Sequence, residues 1–299
     1  MTLLAGYIGG EILAKLIQHP KFSSFHVTAL MRSPAKAEKL CTLKIGAVVG
    51  SHSDEPLMEK LSSQSNIVIA AADADNYGAA MATLRGLKKR YETTKVPPSF
   101  IHTSGTGVLK DDAVGQSATD TIYDDLDVAQ LNLIPDTQVH RNVDLELLRG
   151  DEEGYVKSYI ILPSTIYGLA SNILGRISAS CSHLRQHGRE GLYFGENGEY
   201  TMYQVAKRIS EVLVELGLGT KPEPATFTAK EIGKYYGGYP YMGTNARCKG
   251  SQARELGWRP SRTTDDLLAS IKPDVESILK EKERTGSLGL RDYAVRAAR

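Results

Sequence analysis

Met1-Thr2-Leu3-Leu4-Ala5-Gly6-Tyr7-Ile8-Gly9-Gly10 opens this chain of 299 residues and leads directly into the helical pattern Glu11-Ile12-Leu13-Ala14-Lys15-Leu16-Ile17. In a complete G-x-x-G-x-x-G turn, a buried strand reaches a first glycine that permits a tight bend, and later glycines let the backbone approach a pyrophosphate. Gly6 and Gly9 fit the second and third glycines, whereas Leu3 occupies the position of the first. The sequence therefore predicts a nucleotide-binding fold whose first strand is cut short. The residues predicted to lie beside the phosphates are Gly6, Tyr7, Ile8 and Gly9.

The bulk properties exclude several classes of protein. A formal net charge of +1 creates no field that favours nucleic acid or an anionic membrane. The three cysteines, Cys41, Cys181 and Cys248, are widely spaced and fit a reducing compartment better than a disulfide framework. There is no apolar run of the roughly 20 residues that cross a bilayer, and no signal-peptide core at the start. We expect a cytoplasmic protein that acts on a small molecule and binds neither nucleic acid nor a membrane.

Up to residue 168 the chain alternates short apolar runs with helical patterns. The predicted strands are 25–31, 45–49, 67–71, 99–103 and 156–162, and the predicted helices are 35–40, 55–61, 78–89 and 141–149. Apolar strands between amphipathic helices indicate a parallel sheet that is covered on both faces. Because crossovers between parallel strands are right-handed, the predicted class is α/β, a doubly wound parallel Rossmann-type sheet.

Beyond residue 168 this alternation stops. Further helices are predicted at 203–216, 251–256 and 264–280, and 171–190 has weak helical periodicity. The predicted units are a dinucleotide-binding domain over 1–168, a small, mostly helical C-terminal lobe for the substrate over 169–283, and a mobile tail over 284–299.

Two irregular stretches stand out between these elements. The long acidic segment 111–136 is predicted to be a functional loop or a solvated insert. The Gly/Tyr/Pro loop at 235–241 is a candidate cover for a substrate pocket, with a packed turn as the alternative.

Five stretches, in their order and spacing, resemble the extended short-chain dehydrogenase/reductase superfamily, of the NAD-dependent epimerase/dehydratase type. They are 6–10, 29–33, 101–105, 163–168 and 255–260. The resemblance implies a strand order of 3-2-1-4-5-6 and a cofactor that lies across the carboxyl ends of the strands. Members of that superfamily often dimerise through helices beside the sheet, which makes a homodimer the candidate oligomer and leaves the oligomeric state open.

The chain departs from that family pattern in three places. The first strand and first glycine are missing or replaced by residues 1–5, and the segment 171–190 is far shorter than its counterpart. The tyrosine and lysine that the family places four residues apart on one helix are absent from their expected position.

The catalytic candidates are Ser104, His140 and Asp144. Ser104 fits the family's Ser or Thr at the end of strand five, with a turn-capping residue as the alternative. His140 and Asp144 stand where the tyrosine and lysine are expected. His140 can exchange protons near neutral pH, and Asp144 one turn away can orient it or raise its pKa. The alternative is a solvated helix face with a capping histidine.

Other motif-like patterns are expected to carry no chemistry. Two Tyr-x-x-x-Lys matches, 91–95 and 203–207, lie in the wrong parts of the predicted fold and are interpreted as coincidences. Cys181, His183 and His187 lack the glutamate of a zinc-peptidase motif, so no metal is expected.

Arg32 ends the second predicted strand, where an arginine accommodates the 2′-phosphate of NADP and an acidic residue would select NAD. NADP is therefore the expected cofactor, with NAD as the second choice and a plain surface arginine as the alternative reading. Ala71 and Ala72 are small enough to let a cofactor lie close. The remaining contacts, which the family resemblance implies, are Thr103, Pro163 and Thr165.

Three hypotheses about function follow. The first is an NADP-dependent oxidoreductase or epimerase-like enzyme that acts on a small hydroxyl or carbonyl compound. The second is a non-catalytic NADP-sensing or scaffold protein, similar to the NmrA-like branches that lack the Tyr/Lys pair. The third is an inactive, truncated product. Because the glycine turn is incomplete, we expect weaker dinucleotide binding than in intact relatives.

Overall fold

The computed structural model describes residues 2–4, 7–43, 45–168, 184 and 186–286. Its strands are β1 Thr2–Leu4, β2 Thr28–Met31, β3 Gly46–Val49, β4 Ile67–Ala70, β5 Ser99–Thr103, β6 Tyr123–Asp124, β7 Lys157–Pro163, β8 Leu192–Gly195 and β9 Cys248–Lys249. Seven of them form one parallel sheet in the order β3-β2-β1-β4-β5-β7-β8. The remaining two, β6 and β9, pair in a separate small sheet. The predicted doubly wound α/β class and the order of the first six strands of the sheet are confirmed.

The shortened first strand is present at the centre of the sheet. Thr2, Leu3 and Leu4 pair with residues 28–30 of β2, and the first two of them also pair with residues 68 and 69 of β4. Because β2 and β4 share this neighbour, their facing backbone groups are hydrogen-bonded rather than left unpaired in the core. Three residues are enough to join the two halves of the sheet.

The helices occupy the connections between the strands. They are α1 Tyr7–Ile17, α2 Pro34–Cys41, α3 Glu55–Ser63, α4 Tyr77–Thr94, α5 Val128–Asn132, α6 Arg141–Glu152, α7 Met202–Glu215, α8 Ala229–Tyr236, α9 Ser251–Glu255 and α10 Thr264–Thr285. The side chains of Ser33, Asp54 and Asn76 accept hydrogen bonds from free amides at the starts of α2, α3 and α4. These caps explain why three of the predicted helices begin where the sequence placed them.

Alternate residues of the strands enter two separate apolar clusters, one on each face of the sheet. Val68 and Phe100 belong to the cluster beneath α3, α4 and α6, whereas Ile69 and Ile101 belong to the cluster that includes Leu13 of α1. Burial on both faces explains why the strands read as continuous apolar runs.

The structure corrects two expectations about irregular segments. The acidic segment is not a simple loop, since it contains β6 and α5 and its Asp125 is buried. The Asp125 carboxylate accepts hydrogen bonds from Phe194 N at 2.9 Å and Gln252 N at 2.8 Å, which fastens the segment to β8 and α9. Tyr235 and Tyr236, expected in a loop, form the last turn of α8.

Strand β8 was not predicted from the sequence. It pairs with β7 over four residues and lies beyond the expected domain boundary at 168, yet it belongs to the main sheet. Three hydrophobic residues followed by a glycine give too little signal to identify a strand. Cys181, His183 and most of the segment 171–190, with its weak helical periodicity, lie outside the described residues, as does the tail beyond Gly286. Within the described ranges, no helix is both long and apolar enough to cross a bilayer.

Candidate functional site

The predicted site residues follow the carboxyl ends of strands in the main sheet. Because these strands are parallel, their carboxyl ends lie at one edge, where open α/β sheets bind ligands. The residues that end or follow a strand there are Arg32 after β2, Ala71 and Ala72 after β4, Thr103 and Ser104 at β5, and Pro163 and Thr165 at β7. The fold therefore brings most of the sequence-predicted residues to the same edge.

The glycine-rich turn is partly described. Gly6 lies outside the described residues, and α1 begins at Tyr7, directly after β1 and the undescribed pair 5–6. Ile8 is half-buried and Gly9 is buried in the first turn of α1, which contains no acidic side chain. The N–H groups of the first turn of α1 have no partner within the helix, and this turn lies at the carboxyl edge of the sheet.

Ser104 is held at this edge by two hydrogen bonds. Its backbone N donates to Ile161 O at 2.8 Å, and its Oγ donates to Asp144 Oδ2 at 3.0 Å. Asp144 lies in the first turn of α6 and is fully buried. Burial raises the pKa of Asp144 to about 7, against the Ser104 hydrogen bond and the charges of His140 and Arg141. Both protonation states of Asp144 are therefore populated near neutral pH.

His140 precedes α6 with a left-handed backbone conformation, at φ +68°. Its side chain makes no capping hydrogen bond, so the capping interpretation of this histidine is wrong. Its Nδ1 instead lies 2.7 Å from Oδ1 of Asp75, in the loop after β4. Burial lowers the pKa of His140, but the hydrogen bond and charge of Asp75, together with the charges of Asp144 and Asp73, outweigh burial, so the pKa is raised overall. The same hydrogen bond lowers the pKa of Asp75.

The other ring nitrogen of His140 lies over the loop that follows Ser104. A Cβ added at Gly105 would lie 3.2 Å from Nε2, and one at Gly107 would lie 3.4 Å away. Glycine at these two positions lets the imidazole approach the backbone next to the serine. Asp75, which sequence reasoning missed, orients His140, whereas Asp144 contributes only its charge.

His102 is a second residue that the sequence did not single out. It is buried on β5, and its Nε2 lies 4.0 Å from Oδ1 of Asp144. Burial, followed by the charge of His140, lowers the pKa of His102 to about 4, so its ring is neutral at physiological pH. The sequence signal that could have identified His102 is a histidine that follows the apolar pair Phe100 and Ile101 within a predicted strand.

The remaining motif-like residues lie away from this cluster. Segment 91–95 closes α4 before β5 begins, at the opposite edge of the sheet. Tyr203 and Lys207 both contact exposed Glu223, at 2.9 and 2.6 Å, as an ordinary surface group. His187 pairs with Asp151 at 2.9 Å, and the described part of the chain contains no cluster of metal ligands.

Comparisons with known proteins extend over nearly the whole chain. No protein-family model matches it. It is similar to Oxidase ucsJ of Acremonium sp., with 25% identity over 326 residues that cover 87% of this chain and 91% of that protein. UDP-glucose 4-epimerase of Thermotoga maritima matches 93% of this chain and 100% of its own, at a TM-score of 0.56 and 14% identity. Yeast methylglyoxal/isovaleraldehyde reductase Gre2, which was solved with NADPH, matches 95% of this chain and 100% of its own, at a TM-score of 0.55 and 14% identity.

Proposed function

We propose that this chain, whose fold is that of the NAD-dependent epimerases and extended short-chain reductases, binds NADP and interconverts a carbonyl and a hydroxyl group on a small substrate. The observation that carries the proposal is the arrangement around His140. A titratable ring is fixed by Asp75 and lies over Gly105, the residue after Ser104. This arrangement stands at the sheet edge where the fold binds cofactors.

The groups at the carboxyl edge suit a phosphorylated dinucleotide. The first turn of α1, with Ile8 and Gly9, offers N–H groups that have no partner within the helix, at the positive end of the helix dipole. Arg32 is exposed after β2, and its guanidinium can bind the 2′-phosphate of NADP in a bidentate manner. The small side chains of Ala71 and Ala72 leave space beside β4. Proteins of this fold have been solved with NADPH and with NAD+, so the choice of NADP over NAD rests on Arg32.

His140 is proposed as the general acid and base. NADPH supplies the hydride when bound, and His140 Nε2 donates the proton that the substrate oxygen needs as the carbonyl is reduced. Because Nδ1 is hydrogen-bonded to Asp75, Nε2 is the ring atom left to face the substrate. Asp75 raises the pKa of His140, so the proton-donating form is populated near neutral pH. In the oxidation direction the neutral ring accepts the proton.

The substrate side is proposed to be closed by the segment that follows α8. Gly243 O accepts a hydrogen bond from Gly115 N, and Asn245 O accepts one from Asp111 N at 3.0 Å. Tyr239 Oη lies 3.3 Å from Lys110 Nζ, six residues after Ser104. These contacts hold the segment against the loop after β5, near the carboxyl edge of the sheet where the substrate is proposed to bind.

The test combines binding with turnover. NADPH and NADH are titrated by calorimetry, and a panel of aldehydes and ketones is assayed by loss of NADPH absorbance. We expect NADPH to bind more tightly, and His140→Gln to lower carbonyl reduction at least about a hundredfold, within the usual range for a general acid. Tyr203→Phe, on the exposed face of α7, is the matched control. Turnover that survives His140→Gln refutes the assignment of the acid.

A second candidate function is NADP binding without turnover. It is favoured by Asp144, which stands where the family pattern has a lysine and cannot supply a positive charge. NADPH binding without reduction of any carbonyl in the panel would support this sensing or scaffold role. Absence of binding to either dinucleotide refutes both candidates.

A further inference from the structure

We propose that Asp144 and His102 form a buried pair that sets the direction of the Ser104 hydrogen bond, and so decides whether Ser104 donates to the substrate oxygen or accepts from it. Both are positioning residues, because they act through Ser104. The inference rests on the proposed function, since it takes Ser104 to face the substrate.

The geometry places one carboxyl group between a hydroxyl and an imidazole. Asp144 Oδ2 accepts from Ser104 Oγ at 3.0 Å, and Asp144 Oδ1 lies 4.0 Å from His102 Nε2. Neither Oδ1 nor either ring nitrogen of His102 has a hydrogen-bond partner among the described residues. Buried polar atoms are costly when left unpaired, and an approach of about 1 Å joins Oδ1 to Nε2. The pair is therefore poised to form this bond.

The tautomer of His102 follows from what it faces. A bare Nε2 lone pair would point at the lone pairs of Asp144 Oδ1, which is repulsive when the carboxyl group is ionised. With the proton on Nε2, the ring donates toward Oδ1. His102 is neutral at physiological pH, so Nε2–H is its single proton. Oδ1 is then always an acceptor, and any proton on Asp144 must reside on Oδ2.

The protonation of Oδ2 reverses the bond to Ser104. When Asp144 is ionised, the serine hydroxyl donates to Oδ2, and only its lone pairs are available to the substrate. When Oδ2 carries a proton, Asp144 donates to Ser104 Oγ, and the serine hydroxyl hydrogen is free. Carbonyl reduction needs a donor at the substrate oxygen, whereas alcohol oxidation is served by an acceptor. The protonated pair thus favours reduction.

Several groups act on Asp144 from the elements packed around it. Burial raises the pKa of Asp144 to about 7, and the serine hydrogen bond opposes this rise. His140 and Arg141, at the start of α6, favour the carboxylate, whereas Asp75 after β4 disfavours it. His102 faces it from β5. Burial outweighs the opposing groups, and because the resulting pKa of Asp144 is about 7, both directions of the Ser104 bond are accessible near neutral pH.

The first test does not depend on turnover. The full chain is labelled with ¹⁵N at histidine, His102 is assigned with His102→Gln, and its ring shifts are followed from about pH 5.5 to about 8.5, which spans the pKa of Asp144. We expect His102 to be the Nε2–H tautomer at every pH. Its ring ¹⁵N shifts should change with a midpoint that reflects the titration of Asp144. This midpoint should disappear in Asp144→Asn and persist in Asp265→Asn, a control at an exposed position on α10. An Nδ1–H tautomer, or a midpoint that survives Asp144→Asn, overturns the proposal.

The second test measures the reaction. In Asp144→Asn the amide N–H donates to Ser104 permanently, so this variant mimics the protonated acid. The ratio of the wild-type reduction rate to that of Asp144→Asn should rise about tenfold from about pH 8 to about pH 6, as Asp144 becomes protonated. A ratio that does not change with pH overturns the role of Asp144. If no preparation reduces any carbonyl, the proposed function fails, and the histidine titration still decides whether the pair exists.

Discussion

Replacing each member of the buried pair in turn should give opposite dependences of stability on pH. Asp144 has an ordinary pKa of 3.8 that burial raises to about 7. Because the pKa of Asp144 is higher in the folded state than in the unfolded state, Asp144 contributes its full stabilisation below pH 3.8. This contribution is lost as the pH rises through about 7. The difference corresponds to about 4 kcal/mol in the free energy of unfolding.

His102 acts in the opposite direction. Burial lowers the pKa of His102 from its ordinary value of 6.5 to about 4. The contribution of His102 to the stability of the folded state is therefore present above pH 6.5 and is lost as the pH falls through about 4. The difference corresponds to about 3 kcal/mol. Between pH 4 and pH 6.5 the two contributions have opposite signs and largely cancel, so the pair as a whole adds little pH dependence to the stability of the wild type.

Each variant removes one of the two opposing effects. In His102→Gln, Asp144 alone titrates, and stability should fall as the pH rises from about 4 to about 7. In Asp144→Asn, His102 alone titrates, and stability should fall as the pH drops from about 6.5 to about 4. Urea unfolding followed by circular dichroism at four pH values measures both slopes, with Asp265→Asn as the control. Slopes of the same sign in the two variants would contradict the opposite pKa shifts of Asp144 and His102.

Three further substitutions test other parts of the molecule. Asp75→Asn removes a charge that raises the pKa of His140. The upper pH limit of carbonyl reduction should therefore move down by about one pH unit. An unchanged pH–rate profile would contradict this prediction. Arg32→Ala should weaken NADPH binding by about 1.5–3 kcal/mol and leave NADH binding unchanged in calorimetry; equal losses for both dinucleotides would rule out a 2′-phosphate contact. Asp125→Ala leaves two buried amides without an acceptor and should cost about 2–6 kcal/mol in urea unfolding, whereas a loss below about 1 kcal/mol would mean that water replaces the carboxylate.

The layout of the sheet and the location of the site edge could be predicted from the sequence. Apolar strands alternating with helices indicated the doubly wound class, because burial on both faces leaves no polar alternation in a strand. Placing Arg32 and Ser104 at strand ends also located them at the ligand-binding edge, since parallel strands share one carboxyl edge.

The partners of the site residues were decided by the tertiary structure alone. Asp75 meets His140 across 65 residues of sequence, and Ser104 meets Asp144 across 40. These contacts depend on how α6 packs beside α4 and β7, and that packing results from burial summed over many side chains. Sequence spacing suggested Asp144 as the partner of His140 because the two lie one turn apart. The direction of each side chain, which only packing fixes, gave that role to Asp75 and turned Asp144 toward Ser104 and His102.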